Sequence, residues 1–168
     1  PLLTANTVKL FADGVIEGGT AALLDPYAGS GCAHRGMLVW EPVALVAIVT
    51  AVDAHGFQVH VHTIGDAAVR TALDAVEAAI SANGPRPDRR PVLAHVQLID
   101  EADRPRLAAL GVIANAEPLW AQLDDVMEAL TVPRLGEPRA SAQYPWATLR
   151  DLGARLSFGS DWPVSSPD

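Results

Sequence analysis

Two histidines and one aspartate stand where stretches of strand-like composition end. His62 ends an alternating stretch, His95 ends the apolar stretch 91–95, and Asp161 comes shortly after the stretch 155–158. Imidazole nitrogen and carboxylate oxygen are ligands that suit zinc, manganese or iron. The carboxyl ends of parallel strands lie at one edge of a sheet, where α/β folds place their chemistry. If these strands are parallel, the three residues are candidates for one metal site.

The surroundings of Asp161 allow two interpretations. In Gly159-Ser160-Asp161-Trp162-Pro163, two small residues let the backbone pass close to a neighbouring group before the carboxylate. A simple turn explains the same composition, because serine, aspartate and proline are common in loops. This segment alone therefore does not decide between a site and a turn.

Lys9 lies inside a strand-like segment, between Val8 and Leu10. An unpaired ammonium group within a buried strand is costly, so the lysine needs an explanation. Carboxylation by CO2 would turn it into a bidentate anion that could join a metal site, where the ion would supply the compensating charge. An edge position or a snorkelling side chain is the simpler explanation from this segment alone.

The other histidines are weaker candidates. His60 and His62 lie two positions apart, so they share one face of a strand. His62 is preferred as the ligand because it ends its strand, and His60 is interpreted as a packing or second-layer residue. The pair Cys32 and His34 is too isolated to predict a metal site, which needs several convergent ligands.

Strand and helix patterns alternate along the whole chain. Strands are predicted over 7–13, 57–62, 91–95, 112–116 and 155–158, and helices over 42–55, 67–82, 100–110, 122–130 and 141–152, with Asp66 and Asp100 as helix caps. Such alternation predicts an α/β fold with a parallel sheet and right-handed crossovers. Five β-α steps make an open sheet or a little over half of an eight-stranded barrel. The long segment 14–41 is predicted to form an excursion over the active face.

Composition narrows the function classes. The chain has 168 residues, of which 49% are hydrophobic and 19% charged, and this is typical of a single globular domain with a sizeable core. The net charge of −8 argues against nucleic acid and anionic membranes as partners.

The single cysteine excludes an intrachain disulfide. No signal-peptide pattern opens the sequence and the longest apolar run, 43–49, is far below the ~20 residues of a membrane span, so a cytoplasmic location is expected.

Five segments, in order along nearly the whole chain, resemble the metal-dependent amidohydrolase superfamily. They are Val8–Gly14, Thr20–Tyr27, His62–Ala68, Ala94–Gln97 and Gly159–Val164. The sequence is most similar to the branch, amidohydrolase family 3, that contains N-substituted formamide deformylases. The resemblance implies a TIM (β/α)8 barrel with a metal site at its carboxyl-terminal face, and hydrolysis of a carbon–nitrogen bond in a small-molecule substrate.

The resemblance also implies roles for individual residues. Lys9 would be the bridging lysine, in carboxylated form, and His62 and His95 would be ligands of one metal. Asp161 would bind a second metal and act as the catalytic residue that takes a proton from the attacking water. The implied cofactor is a divalent metal, with zinc expected, as one or two ions in the intact parent protein.

The sequence departs from the family pattern at its start. The family has a His-x-His motif well before its lysine, whereas only eight residues precede Lys9 here. Residues 1–168 are therefore expected to form a single partial barrel domain, about strands four to eight, that is inactive alone and self-associates through exposed apolar faces. Glu117 stands where the family often has glutamine. Two alternatives stay open: a non-catalytic α/β domain that binds a metabolite or partner, and histidines that only satisfy buried hydrogen bonds.

Overall fold

A five-stranded parallel sheet forms the centre of the computed structural model, which describes residues 2–29 and 33–166. The strands are β1 (Thr7–Phe11), β2 (Gln58–Thr63), β3 (Val92–His95), β4 (Ile113–Ala116) and β5 (Arg155–Phe158). Each strand pairs with the next one along the chain, in the order β1-β2-β3-β4-β5. The predicted α/β fold with a parallel sheet is confirmed, and β1 and β5 are the edge strands.

Helices connect the strands. They are α1 (Pro42–Ala54), α2 (Asp66–Asn83), α3 (Arg104–Ala109), α4 (Val132–Leu135) and α5 (Trp146–Asp151). Short 3-10 turns cover Pro118–Ala121 and Ala140–Ala142, and a π-helical turn, Met127–Thr131, leads directly into α4. Within residues 2–29 and 33–166, no helix combines the length and the apolar character that crossing a membrane requires.

The main core lies between the sheet and its helices. Val61 of β2 and Leu93 of β3 are fully buried against Leu73 of α2, in the largest cluster of apolar side chains. Burial of each such side chain contributes about 1.5–3 kcal/mol. Successive strand residues point to opposite faces, so the other face of the sheet receives the polar residues. In register, Lys9 pairs with His60, and Ala94 pairs with both His62 and Asn115.

The excursion between β1 and α1 has a small core of its own. The excursion contributes the apolar residues Ile16, Ala21, Leu23 and Tyr27. They pack with Ile64, Leu98 and Leu135, which follow β2, β3 and the π-helical turn. Ile64 and Leu98 come just after their strands, so the excursion covers the carboxyl ends of the sheet, as predicted. Cys32 lies outside the described residues, and His34 packs on Tyr27 with ring centroids 5.3 Å apart.

Two predicted helices have different bounds. Helix α5 begins at Trp146 and not at Ser141, because Tyr144 adopts a left-handed φ of 50° and a residue before a proline is disfavoured in the α region. The helix predicted over 122–130 begins only after Asp124, whose Oδ1 accepts the N–H of Met127 at 2.8 Å. It then continues through Pro133, which the first turn of α4 accommodates.

Neither predicted aspartate cap is correct. Gly65 is the N-cap of α2, and Asp66 is its first residue, whose Oδ1 accepts the backbone N–H groups of Leu24 at 2.8 Å and Ala67 at 3.0 Å. Asp66 therefore fastens the excursion to the helix. Oδ1 of Asp100 accepts the N–H of Ala102 in a turn that precedes α3.

Candidate metal centre

The imidazole rings of His62 and His95 lie side by side at the carboxyl ends of β2 and β3. Their centroids are 4.6 Å apart and the ring planes are inclined by 69°. Thr63 of β2 is in register with His95 of β3, so parallel pairing brings the carboxyl ends of the two strands together. Only 7% of His62 and 3% of His95 are exposed to solvent, so the pair occupies a largely dry environment.

One nitrogen of His62 is already engaged. Nε2 lies 3.0 Å from the carbonyl oxygen of Gly14, and the Phe11 ring packs at 5.1 Å between centroids. Donation from Nε2–H to this carbonyl leaves a lone pair on Nδ1. The pKa of His62 is lowered to about 4, chiefly by burial and also by electrostatic interaction with His95 and Lys9, although the hydrogen bond to Gly14 acts to raise it. The ring is therefore neutral near pH 7, as a metal ligand must be.

His95 is held by its backbone. It adopts a left-handed φ of 71°, its N–H donates to Oε2 of Glu117 at 3.0 Å, and its carbonyl accepts from Nε1 of Trp146 at 3.4 Å. The indole of Trp120 packs on the ring with centroids 4.9 Å apart. A non-glycine residue in this conformation persists only where its surroundings determine it. These contacts fix the position of the ring.

The charges of Lys9 and Asp161 act on the ring of His62. Asp161 follows β5, is half-buried and has a left-handed φ of 58°. Lys9 is exposed on the edge strand β1. Partial desolvation by neighbouring groups nevertheless lowers the pKa of its ammonium group, although the negative charges of Asp161 and Glu117 act to raise this pKa. The charge of Asp161 also acts on His62, where it raises the pKa.

The donor chemistry fits a metal ion in part. His62 and His95 offer two adjacent imidazoles in a buried setting, which is a nitrogen-ligand pair suited to zinc. In the part of the chain that the structure describes, no three His, Cys, Asp or Glu residues are gathered closely enough to hold an ion. The structure thus brings together two of the four predicted residues. Lys9 and Asp161 act on His62 through their charges, but the described residues do not complete a ligand set.

His60 lies on the same face of β2, next to Lys9 in register. Its Nε2 is buried and has no hydrogen-bond partner among the described residues, so the interpretation of a hydrogen-bonded ring is not supported at this atom. Burial lowers the pKa of His60 to about 4, and the charge of Lys9 acts in the same direction. A second neutral imidazole therefore lies on the same face of β2, two residues before His62.

Sequence reasoning gave no role to Asp13, which it included only as the last residue of the predicted strand 7–13. The side chain is buried, and its carboxylate accepts three backbone N–H groups: Ile64 at 3.0 Å, Gly65 at 2.8 Å and Ala22 at 2.9 Å. Oδ1 also lies 3.8 Å from Nε2 of His62. Burial raises the pKa of Asp13 to about 7, although these N–H groups favour the carboxylate. A carboxylate directly after an apolar strand was the available signal.

Sequence reasoning also gave Glu117 no role beyond ending β4. The side chain is buried, and both of its oxygens contact the site: Oε2 lies beside His95, and Oε1 accepts from Nδ2 of Asn115. Its position in the family motif was visible in the sequence, but its contacts depend on the pairing of β3 with β4.

Comparisons with known proteins agree with the parallel sheet and the histidine pair at its carboxyl edge. The sequence profile of the amidohydrolase family matches residues 1–168. YtcJ of Bacillus subtilis (strain 168) is 31% identical over 168 residues, which are all of this chain and 30% of that protein. Protein LONG AFTER FAR-RED 3 of Arabidopsis thaliana is 34% identical over 161 residues, 94% of this chain and 26% of that protein.

A solved structure is also similar. It is an uncharacterized metal-dependent hydrolase from Pyrococcus furiosus, with a TM-score of 0.79 and 32% identity, and the match covers 96% of this chain and 31% of that one. The chain thus spans about a third or less of the length of these relatives. The profile match over every residue, together with the parallel sheet and the paired histidines at its carboxyl edge, shows that the chain belongs to the amidohydrolase family.

Proposed function

We propose that this chain is part of a metal-dependent hydrolase that cleaves a carbon–nitrogen bond of amide or formamide type in a small-molecule substrate. The observation that carries the proposal is the contact of the buried His62 and His95 rings at the carboxyl edge of a parallel sheet. Family membership supports it, as does the similar Pyrococcus furiosus structure, which is described as a metal-dependent hydrolase.

The residues that would hold the metal are His62 and His95, with Asp161 and a carboxylated Lys9 as further ligands. Zinc is the proposed ion, because nitrogen and oxygen donors of this kind suit it. When bound, such an ion lowers the pKa of a bound water towards ~7 and polarises the substrate carbonyl. The burial that keeps both imidazoles in a dry environment also strengthens every charge interaction within the site.

Asp161 is the proposed catalytic residue. Its carboxylate, just beyond β5, would accept a proton from the attacking water and deliver it to the leaving amine. The interaction of its charge with Lys9 and His62 supports this assignment.

We expect the 168 residues to show little turnover on their own. Their match covers about 30% of YtcJ, and β1 and β5 are open edges of the sheet. His62 and His95 are two donors for one ion, and a second ion would need further ligands such as the His-x-His motif of the family. Catalysis is therefore proposed for the larger protein to which this family segment corresponds.

Metal analysis tests the proposal. The chain would be purified without chelator, beside His62→Ala, His95→Ala and the matched control His55→Ala, whose exposed ring contacts the helix carbonyl of Ala51. Mass spectrometry should find stoichiometric zinc, manganese or iron in the unchanged chain and in the control, and loss of the metal in both site variants. Metal content that is the same in all four proteins would favour the non-catalytic binding domain instead.

A further inference from the structure

The carboxylate of Glu117 is built into the environment of His95. Glu117 is 3% exposed, and its Oε2 lies 3.0 Å from the backbone nitrogen of His95 and 3.2 Å from the ring nitrogen Nδ1. The first contact is a hydrogen bond. Nδ1 itself is buried and has no well-aligned hydrogen-bond partner among the described residues. The ring of His95 therefore presents one nitrogen to a buried carboxylate.

The orientation of this carboxylate is fixed from the other side. Oε1 of Glu117 accepts from Nδ2 of Asn115, and Oδ1 of Asn115 accepts from Oγ of Ser157 at 2.7 Å. This chain of contacts runs from β5 through β4 to the end of β3. Both oxygens of Glu117 are thus engaged, and the side chain cannot turn away from His95 without leaving buried polar groups unpaired.

The tautomer that an uncharged His95 ring would adopt follows from this arrangement. A lone pair on Nδ1 would face a carboxylate oxygen at 3.2 Å and be repelled by it, whereas an Nδ1–H group would be stabilised by the same oxygen. The Nδ1–H tautomer places the lone pair on Nε2. His62 shows the opposite arrangement, because its Nε2 faces the carbonyl of Gly14.

We propose that Glu117 is a positioning residue that holds His95 in the Nδ1–H tautomer and so makes Nε2 its metal-binding nitrogen. The role in metal binding depends on the proposed function, but the geometry does not. Partners of this kind orient a ligating histidine and raise its basicity, and their loss typically weakens metal binding about 10- to 100-fold. The carboxylate of Glu117 also adds a negative charge beside the ligand.

The tautomer is measured first, on the metal-free chain. Long-range proton–nitrogen correlation spectra of the 15N-labelled protein at neutral pH distinguish Nδ1–H from Nε2–H for His95. The unchanged chain should show Nδ1–H, and so should Glu117→Gln, whose side-chain oxygen still accepts a hydrogen bond. Glu117→Leu should shift His95 towards the Nε2–H form that imidazole prefers in water. Finding Nε2–H in the unchanged chain would overturn the proposal, whether or not the leucine variant folds.

Zinc affinity is measured second, by competition with a chromophoric chelator. Glu117→Leu should bind zinc about 10- to 100-fold more weakly than the unchanged chain, and Glu117→Gln should show a smaller loss. The matched control is Asp53→Leu, which removes a buried carboxylate near the amino end of β2 and should leave zinc affinity and the tautomer unchanged. Equal affinity in Glu117→Leu and the unchanged chain would overturn the positioning role. An unchanged chain that binds no zinc, yet has Nδ1–H, would contradict the proposed function and support the positioning role.

Discussion

Oδ2 of Asp13 accepts a hydrogen bond of 2.8 Å from the backbone N–H of Gly65, which joins the end of β1 to the turn that follows β2. The same oxygen accepts from Ala22 at 2.9 Å, and the other oxygen accepts from Ile64 at 3.0 Å. One buried carboxylate thus connects three segments that are distant in sequence. His62 lies in the last two residues of β2, directly before this connection, so its backbone position depends on it.

Replacing Asp13 with alanine should strongly destabilise the fold. It would leave three backbone N–H groups without their acceptor, and each buried donor that loses its partner costs about 1–3 kcal/mol. We expect the free energy of unfolding in urea to fall by at least about 3 kcal/mol. Asp25→Ala is the control, because Asp25 is exposed and only forms a loose ion pair with Arg35 at 3.7 Å. A loss equal to that of the control would show that the carboxylate does not hold these segments together.

Substitution of Gly65 by alanine should be destabilising for a steric reason. A Cβ atom at Gly65 would lie 1.9 Å from the carbonyl oxygen of Ala22, so the backbone of the excursion or of the turn would have to move. We expect a loss of about 2 kcal/mol or more in thermal or urea unfolding, because overpacking of this kind is typically worth about 1–3 kcal/mol. At Gly18 an added Cβ meets its nearest neighbours at 3.4 Å, so Gly18→Ala should have little effect. Equal stability of the two variants would contradict the close approach.

Stability should depend on acid pH through Asp53. Burial alone would raise the pKa of this carboxyl, but hydrogen bonds from Arg89 and Asn83 and the charges of Arg89 and Arg86 lower it below its ordinary value. A carboxyl with a lowered pKa in the folded state stabilises the fold above its unfolded pKa of about 3.9, and this contribution is lost as pH falls through the folded pKa.

Asp53→Asn tests this dependence. The unchanged chain should be more stable than the variant near neutral pH, and urea unfolding should show the difference shrinking between about pH 5 and the acid limit of folding. The exposed Asp88, which pairs with Arg90, provides the control variant Asp88→Asn. A difference between Asp53→Asn and the unchanged chain that stays constant over this range would contradict the lowered pKa.

Asp161→Asn should separate metal binding from turnover in the full-length protein. Loss of a proton-transferring side chain typically lowers kcat about 10²- to 10⁴-fold, whereas the two histidines and the lysine would retain metal. Hydrolysis of amide and formamide substrates and metal content would be measured on the same preparation. Asp151→Asn, on the exposed end of α5, should keep full activity. Unchanged turnover in Asp161→Asn would refute the catalytic role.

The isolated chain should self-associate. Phe11 on β1 is 53% exposed, and Phe158 on β5 and Trp162 beyond it are each 67% exposed, so apolar side chains lie on or beside both open edges of the sheet. Open strands and exposed apolar groups favour pairing with further chains. Sedimentation velocity should show species larger than a monomer that decrease in Phe158→Ser, but not in Leu152→Ser at the end of α5. A monomer at every concentration would contradict this expectation.

The sequence was sufficient to predict the sheet and the strand-end residues. Alternation in β2 separates buried Val59 and Val61 from the histidines on the other face, and this pattern is local. The position of His62 near His95 follows from the parallel pairing of β2 with β3, which brings the carboxyl ends of the two strands together. Their role as metal ligands, with Lys9 and Asp161, stays a prediction.

Features that depend on long-range contacts could not be predicted from local patterns. The start of α5 is set by the left-handed Tyr144, whose N–H bonds the carbonyl of Gln97 at 2.8 Å in another part of the fold. The buried roles of Asp13 and Glu117 likewise depend on backbone groups that the folded chain brings to them. In the sequence, each of these residues is only a polar residue at the end of a strand.

The small core beneath the excursion has a consequence for motion. Leu23 and Tyr27 of the excursion share this core with Ile64, and Asp13 binds the backbone on both sides of it. We therefore expect the excursion and the turn after His62 to open as one cooperative unit, whose amide protons should share a common free energy of opening in hydrogen exchange. In such a unit, access to the histidine pair is governed by collective opening of the excursion, and the lifetime of any bound ion would be set by that slow event and not by rotation of single side chains.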